Sequence, residues 1–422
     1  MIRELLDQGE ALLRTTLDDL AGGDAYPVPA YRVMVDGRDI STLITPRLIR
    51  LELTDNRGMD ADQLSLSLAD HDGLLEIPPR GATVRLWLGW STTGLVDKGS
   101  FTVDEIEHAG APDVLEIRAR SVDLRKALKR KRERSFHATT LGAILRTIAE
   151  AHGLQPVVAE ALAALPVAHM DQANESDANV ITRLGEDNDA VATVKAGRLL
   201  FFPRSGGKTA SGAPLGHVYL TRQDGDQHSY LEADRDSYDG VRAYYYDVNS
   251  AKKQDVIAGG GDNLKELRHT YSDRESALRA VRAHWRRLQR GTRTLRYTLA
   301  LGRPELIPEM TYTLSGVKGA IDAIVWHGGN VAHSLTADGG LTTSLELEAQ
   351  LPEAEVADLA DEHTQHYTGV VAWYRVKGGG KEEKVTAGDQ STPRRLTHLY
   401  ASKATAKRAV EREWNRLKNK SP

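Results

Sequence analysis

The feature that most limits what this chain can become is an ungapped internal echo. "YDGVRAYYYDV" at Tyr238–Val248 is answered by "YTGVVAWYRVK" at Tyr367–Lys377, and "HTYSDRESALRAVRAHWRRL" from His269 by "HLYASKATAKRAVEREWNRL" from His398. Both pairs are offset by 129 residues. Tyr271, Ala277, Arg279, Ala280, Val281, Trp285, Arg287 and Leu288 map onto Tyr400, Ala406, Arg408, Ala409, Val410, Trp414, Arg416 and Leu417. Residues 238–290 and 367–419 therefore read as two copies of one strand–loop–helix unit. In each helix the Ala, Val, Trp and Leu positions fall on one face, a stripe for docking onto a sheet. Trp285 and Trp414 are expected to pack within their own copies; the other reading makes them anchors for a partner. Two copies are too few for an extended solenoid.

Elsewhere apolar residues alternate with polar ones. Tyr31, Val33 and Val35 share one face, as do Leu64, Leu66 and Leu68; Val84, Leu86 and Leu88; and Leu115, Ile117 and Ala119. Period two over short runs predicts strands with one buried face, here in an antiparallel sheet or barrel. "TLRYTLALG", "MTYTLSG", "AIDAIVW" and "LTTSLELEAQ" read as further strands. Glycine-rich "WHGGN" and "TADGG" read as turns, and the polar "VNSAKKQDVIAGGGDN" and "VKGGGKEEKVTAGDQS" as mobile surface loops.

Helical spacing appears in "TTLGAILRTIAEAHGL", where Thr140 is the expected N-cap, Leu141, Ile144, Leu145 and Ile148 the buried stripe, and Gly153 the left-handed residue after the C-terminus. His152 would then sit in the last turn, favoured by the helix dipole. In "HMDQANESDANVITRLGEDNDAVATVKAGRLLFF", Ser176 caps a helix carrying Val180, Ile181 and Leu184, with Asp177 in its first turn; "KAGR" turns between two strands. Leu5, Leu6, Leu12, Leu13, Leu17 and Leu20 give residues 2–20 an amphipathic helical pattern, joined to the rest by the linker "AGGDAYPVP". That segment reads as a helix on its own domain, a docking arm or a frayed end. The basic run Arg125, Lys126, Lys129, Arg130, Lys131, Arg132 and Arg134 reads as a solvated face, a protein contact or, least favoured, a nucleic-acid contact, since no aromatics interleave to stack bases.

Composition excludes several chemistries. There is no cysteine, hence no disulfide or thiolate ligand, and 55 basic against 59 acidic residues give no global pull toward nucleic acid. No run is long and apolar enough to span a membrane, and the acidic first twenty residues do not read as a signal peptide. The 14 histidines make no "HExxH"; His327, His333, His363, His366 and His398 could meet only in space and read as a scattered set rather than a metal site. No "GxxxxGK[ST]" or "GxSxG" is present. Glu175 and Asp177 can be weighed as a glycosidase pair, but helix capping explains them better. No catalytic, cofactor-binding or metal residues are assigned, and the expectation is a non-enzyme.

Several ordered blocks carry a family resemblance: "PAYRVMVDGRDIS", "LIRLELTDNRGMDADQLSLSLADHD", "PPRGATVRLWLGW", "DVLEIRARSVDLR", "KRERSFHATTLGAILRTIAEAHGL", "DQANESDANVITRL", "GRLLFF" and "WHGGNVAHSLTADGGLTTSLELE". Together they resemble the late control D family, the tail hub proteins of contractile-tail phages, also similar to the hub portion of secretion-system spike proteins. The resemblance covers about residues 27–350. It implies a mainly β fold with α+β insertions, a multidomain tail-hub architecture of small β-barrels, here with the duplicated strand–loop–helix unit. The expected division is an N-terminal helix and linker (1–26), a first hub β-barrel (27–124), a helical or α+β insertion (125–203), a second β-rich region holding the first repeat (204–350), and a C-terminal region holding the second (351–422). It also implies a homotrimer in the virion tail baseplate, assembled in the host bacterial cytoplasm. The implied partners are a trimeric central spike, the tail tube or a tube initiator, baseplate wedge proteins and a tape-measure terminus, with no direct DNA binding. The alternatives are the equivalent hub of a tailocin and, from a different class, a peptidoglycan-degrading tail lysin.

Overall fold

The computed structural model describes residues 26–121, 128–204, 207–233, 238–247, 251–260, 263–350, 369–375, 382–389, 393–400 and 402–418. The helix read at 2–20 and the first residues of the basic run, Arg125 and Lys126, lie outside them. So do His363 and His366.

The alternating segments form strands β1 (Pro29–Val35), β2 (Arg38–Asp39), β3 (Leu48–Asp55), β4 (Gln63–Ala69), β5 (Thr83–Trp90), β6 (Gly94–Ala109) and β7 (Val114–Ser121). They pair antiparallel in the order β3–β4–β7–β6–β5–β1–β2. The predicted inward residues of β4, β5 and β7 all reach one core, with Val33, Leu51, Leu53 and Phe101. Tyr31 and Val35 only flank it.

The next segment holds β8 (Lys131–Thr140), β9 (Gln155–Val158), β10 (Pro166–Ser176), β11 (Ala190–Lys195) and β12 (Arg198–Pro203). Here the structure corrects the sequence reading. The last three residues of the basic run, Lys131, Arg132 and Arg134, and the polar stretch before Ser176 lie in strands, and these pair with each other as a two-stranded ribbon. Both carry polar residues on both faces, so no apolar alternation marked them. The helices Leu141–Ala151 and Asp177–Asp187 form as expected, capped by Thr140 Oγ1 and Ser176 Oγ. Gly153, at φ +65°, closes the first helix: its N–H bonds Glu150 O, and Leu154 N–H bonds Ala149 O. Their apolar faces share a core with Leu199 and Phe201 of β12.

Beyond this come β13 (His217–Thr221), β14 (Gly225–Glu232), β15 (Gly240–Asp247), β16 (Lys252–Gly259), β17 (Leu264–Tyr271), β18 (Arg293–Leu299), β19 (Thr311–Ser315), β20 (Val325–Thr336) and β21 (Gly340–Ala349). β14–β18–β21–β20, with β19 and β13, surround a second core around Tyr297, Tyr312 and Trp326. β20 also pairs with β3, so one sheet runs through both cores, and Leu335 and Leu341 belong to the first. Two readings fail here. "AIDAIVW" contains a short helix, Gly319–Asp322, before β20 starts. "WHGGN" lies inside β20 at a register shift between Gly328 and Val331. Its glycines permit close approach rather than a turn: a Cβ on Gly328 would stand 3.1 Å from Met310 O, and one on Gly329 3.0 Å from Glu346 O. "TADGG" does turn, between β20 and β21.

In the first repeat, β16–β15–β17 form a sheet covered by the helix Arg274–Arg290. The chain divides into two compact units, 1–351 and 352–422. The second contains β22 (Gly369–Arg375), β23 (Glu382–Gly388), β24 (Pro393–Tyr400) and the helix Lys403–Lys418. Its internal plan repeats the first at the sequence offset. Gly240 pairs with Gly259 and with Leu264; Gly369 pairs with Gly388 and with Pro393. The register shifts at the same step, after Arg242 and after Val371. Val241, Ala243, Tyr245, Ala277 and Val281 are buried in one copy, and Val370, Ala372, Tyr374, Ala406 and Val410 in the other. Trp285 and Trp414 pack against their own cores. The polar stretches read as mobile loops contain β16 and β23, the antiparallel partners of each central strand. Lys252–Asp255 are exposed, so their strand character lacked a hydrophobic signature.

Candidate functional site

The side chains singled out for chemistry are held in ion pairs. Asp177 is fully buried at the N-terminus of its helix. Arg134 of β8 pairs with its Oδ1, Arg132 approaches Oδ2 at 3.3 Å, and His152 Nε2 donates to Oδ2 at 2.7 Å. Gln172 Nε2 donates to Oδ1 at 2.9 Å. Burial alone would raise the Asp177 pKa; the His152 and Gln172 hydrogen bonds and the Arg134 and Arg132 charges outweigh it and lower it. Glu175 is bound by Arg183 through Nη2 at 2.7 Å and Nε at 3.2 Å. A glycosidase pair needs one carboxyl kept protonated as the acid. Here one is depressed and the other is engaged by a guanidinium, so the pair serves the fold. His152 stands at the C-terminal end of its helix as expected, and its buried side chain has a further role as a donor to Asp177. The same geometry accounts for Arg132 and Arg134, whose partly exposed guanidinium groups face the buried Asp177 carboxylate.

Of the candidate histidines, the two with described side chains, His327 and His333, serve separate partners. His327 Nε2 donates to Glu309 Oε2 at 2.6 Å, while His333 bonds Thr343 Oγ1 through Nδ1 at 2.9 Å and lies 3.2 Å from Lys98 Nζ. Among the described residues no group of three or more His, Asp or Glu side chains could hold a metal. Burial, with the Lys98 charge, pushes the His333 pKa down to about 3, so it is neutral.

Two polar junctions join segments distant in sequence. In the first, Arg57 from the loop after β3 pairs with Glu309 and, at 2.9 Å, with Glu348 of β21; its N–H donates to Asn330 Oδ1 at 2.9 Å. Glu309 is buried, which favours its neutral form, but the His327 hydrogen bond and the Arg57 charge hold its pKa at about 2. Arg204, close to Arg57, Glu309 and Arg290, is lowered by burial to about 10 and stays charged. The second junction lies between the helices Asp177–Asp187 and Arg274–Arg290. Glu186 pairs with Arg287, and Asp189 with Arg290. Asp187 accepts from Tyr271 Oη at 2.9 Å and His284 Nε2 at 3.1 Å. A cleft of about 740 Å³ beside these helices is lined by Glu175, Arg183, Glu186, Asp187 and Arg287. These junctions fasten the two β cores, the ribbon segment and the first repeat to one another. Their partners lie 84 to 291 residues apart, and no local periodicity announces them.

Comparison with known proteins agrees with a structural role. Residues 47–338 match the family described as phage tail baseplate hub (GPD). The probable baseplate hub protein of Escherichia phage 186 is 42% identical over 368 residues, covering 78% of this chain and 94% of that protein. That of Escherichia phage P2 is 40% identical over 374 residues, covering 79% and 96%. Among solved structures, a tail protein from Neisseria meningitidis MC58 aligns with TM-score 0.58 at 14% identity, over 76% of this chain and 96% of that one. The 43 kDa tail protein of prophage MuSo2 from Shewanella oneidensis aligns at 0.54 and 12% identity, over 75% and 95%. These two show a shared fold.

Proposed function

Because the chain belongs to the phage tail baseplate hub family, we propose that it sits as a homotrimer on the axis of a contractile tail, joining the tail tube to a trimeric spike. It is a structural protein of the virion tail baseplate rather than an enzyme. The observation that carries the mechanical reading is the continuous sheet. β3 and β20 pair directly, so load applied to one β core passes to the other through backbone hydrogen bonds. The Arg57 junction braces the same seam with buried charge. Three such chains place six β cores around one axis, a closed ring able to meet a threefold spike. Wedge proteins, a tube initiator and the tape-measure terminus are the further partners this position requires.

Reconstruction of intact baseplates tests the proposal. Threefold density for this chain between tube and spike is expected, with a hub mass three times the chain's 46.3 kDa. A sixfold hub, or a location on the baseplate periphery, overturns it. Peptidoglycan cleavage by the purified chain would overturn the structural assignment.

A further inference from the structure

One groove in the first unit lies where the polypeptide enters it. It is about 610 Å³, walled by Pro27, Trp90, Val96, Leu299 and Leu301, with charged Asp224, Arg303 and Glu305 also lining it. Leu301 is 62% exposed and Val96 36%, and Leu95 beside it is also exposed. Trp90 Nε1 donates to Gly302 O at 2.7 Å, which satisfies the indole's one polar group and leaves its ring for apolar contact. The chain is fixed as it passes. Val28 N–H donates to Ser91 Oγ at 3.0 Å, and Ser91 N–H donates to Val28 O at 2.8 Å. Pro27 is thereby part of the wall, and Tyr26, 89% exposed, precedes it.

The sequence upstream has the complementary chemistry. Residues 2–20 carry Leu5, Leu6, Leu12, Leu13, Leu17 and Leu20 at helical spacing, between Arg3, Glu4, Asp7, Glu10, Arg14, Asp18 and Asp19. An isolated helix of this length is marginal in water and needs an apolar surface to stabilise it. The stretch from Leu20 to Pro27 reaches at most roughly 25 Å, and so short a covalent connection gives an effective concentration of the order of millimolar. Weak contacts with Leu301 and Val96 then suffice to hold the segment. A partner in trans has no such advantage.

We propose that the leucine face of residues 2–20 docks in cis into the Trp90–Val96–Leu301 groove, covering the apolar wall beside its own point of entry. The segment is thus the groove's occupant rather than an arm for another tail protein.

The absence of native cysteine makes the test direct. Full-length variants pair Leu301→Cys with a single cysteine replacing Leu6, Leu13 or Leu17, and are oxidised at low protein concentration. Controls pair Leu301→Cys with Glu4→Cys, on the opposite helical face, and Leu13→Cys with Leu74→Cys at an exposed site on a different loop. An intrachain disulfide in at least one leucine pair, forming at least tenfold faster than in either control, is the expected result. Disulfide-linked dimers in place of intrachain bonds overturn the cis assignment and make a second copy the occupant. No disulfide above the control rate, with the variants folded by circular dichroism, overturns the docking itself.

Discussion

Asp177 shows how one position can look functional and be structural. Its carboxylate is fully buried, and Arg134, Arg132, His152 and Gln172 converge on it. Asp177→Asn keeps the shape but leaves the cations facing a neutral amide. Breaking one side of a buried pair costs about 3–5 kcal/mol. A fall of that order in unfolding free energy, by urea denaturation of the whole chain, is expected; a loss below about 1 kcal/mol would show that the Arg side chains swing to solvent. His333 gives a pH dependence. Its pKa is about 3 when folded against its ordinary 6.5, so the unfolded chain binds the extra proton between those values. The stability this neutral histidine retains is present above pH 6.5 and is lost as pH falls toward 3. His333→Gln removes that titration, and unfolding free energy measured from pH 7 to 4 should decline less steeply in the variant. Glu309, held at about 2, adds its own loss below its ordinary 4.5, which the variant retains. Identical slopes in both proteins would contradict the assignment to His333.

The two strand–loop–helix units were legible because duplication writes the same packing twice. Each helix presents its Ala–Val–Trp face to its own sheet, and even the polar contact recurs: Tyr245 donates to Gln254 at 2.8 Å, and Tyr374 donates to Glu383 at the corresponding positions. Trp285→Ala and Trp414→Ala should each destabilise their unit. Both rings are only partly buried, so about 3 kcal/mol, the low end for aromatic truncation, is expected. Hydrogen exchange over 238–290 and 367–419 separates the two effects; a variant that leaves its own unit's protection unchanged would point to an interface role for that tryptophan. What differs between copies is equally informative. His284, Arg286 and Arg290, which face Asp187 and Asp189, are Glu413, Asn415 and Asn419 in the second. The clasp onto the 177–187 helix therefore belongs to the first copy's surface, while the shared residues serve the common fold. The strands with one buried face were equally readable, as Leu64, Leu66 and Leu68 show. The ribbon β8–β10 and strands β16 and β23 were not, because exposed strands carry no apolar period. The glycines of β20 misled for another reason. Glycine signals a missing Cβ, and only the neighbours, Met310 O and Glu346 O, tell whether a turn or a close approach needs it.

At the scale of the molecule the decisive contacts join residues that sequence windows never see together. Arg57 ties a first-core loop to the turn before β19 and to β21, 252 residues from Glu309 and 291 from Glu348. A hub that carries load needs its β cores to move as one body, and the β3–β20 ladder supplies the backbone part of that coupling. The guanidinium supplies the rest, since Glu309 is buried and relies on it for compensation. Arg57→Met preserves much of the aliphatic stem while removing the charge. Glu309 would keep only its His327 hydrogen bond, and removal of one side of a buried pair again costs about 3–5 kcal/mol. The loss should be local to the seam. Hydrogen exchange is expected to rise in β20 around Gly328–Asn330 and in residues 56–62, while strands β5 and β6, remote from it in the ladder order, keep their protection. Assembled baseplates carrying the variant should then dissociate at lower force or temperature than the wild type. Unchanged exchange at the seam, or a uniform rise over the whole chain, would show that Arg57 does not couple the cores and that the backbone ladder alone transmits the load.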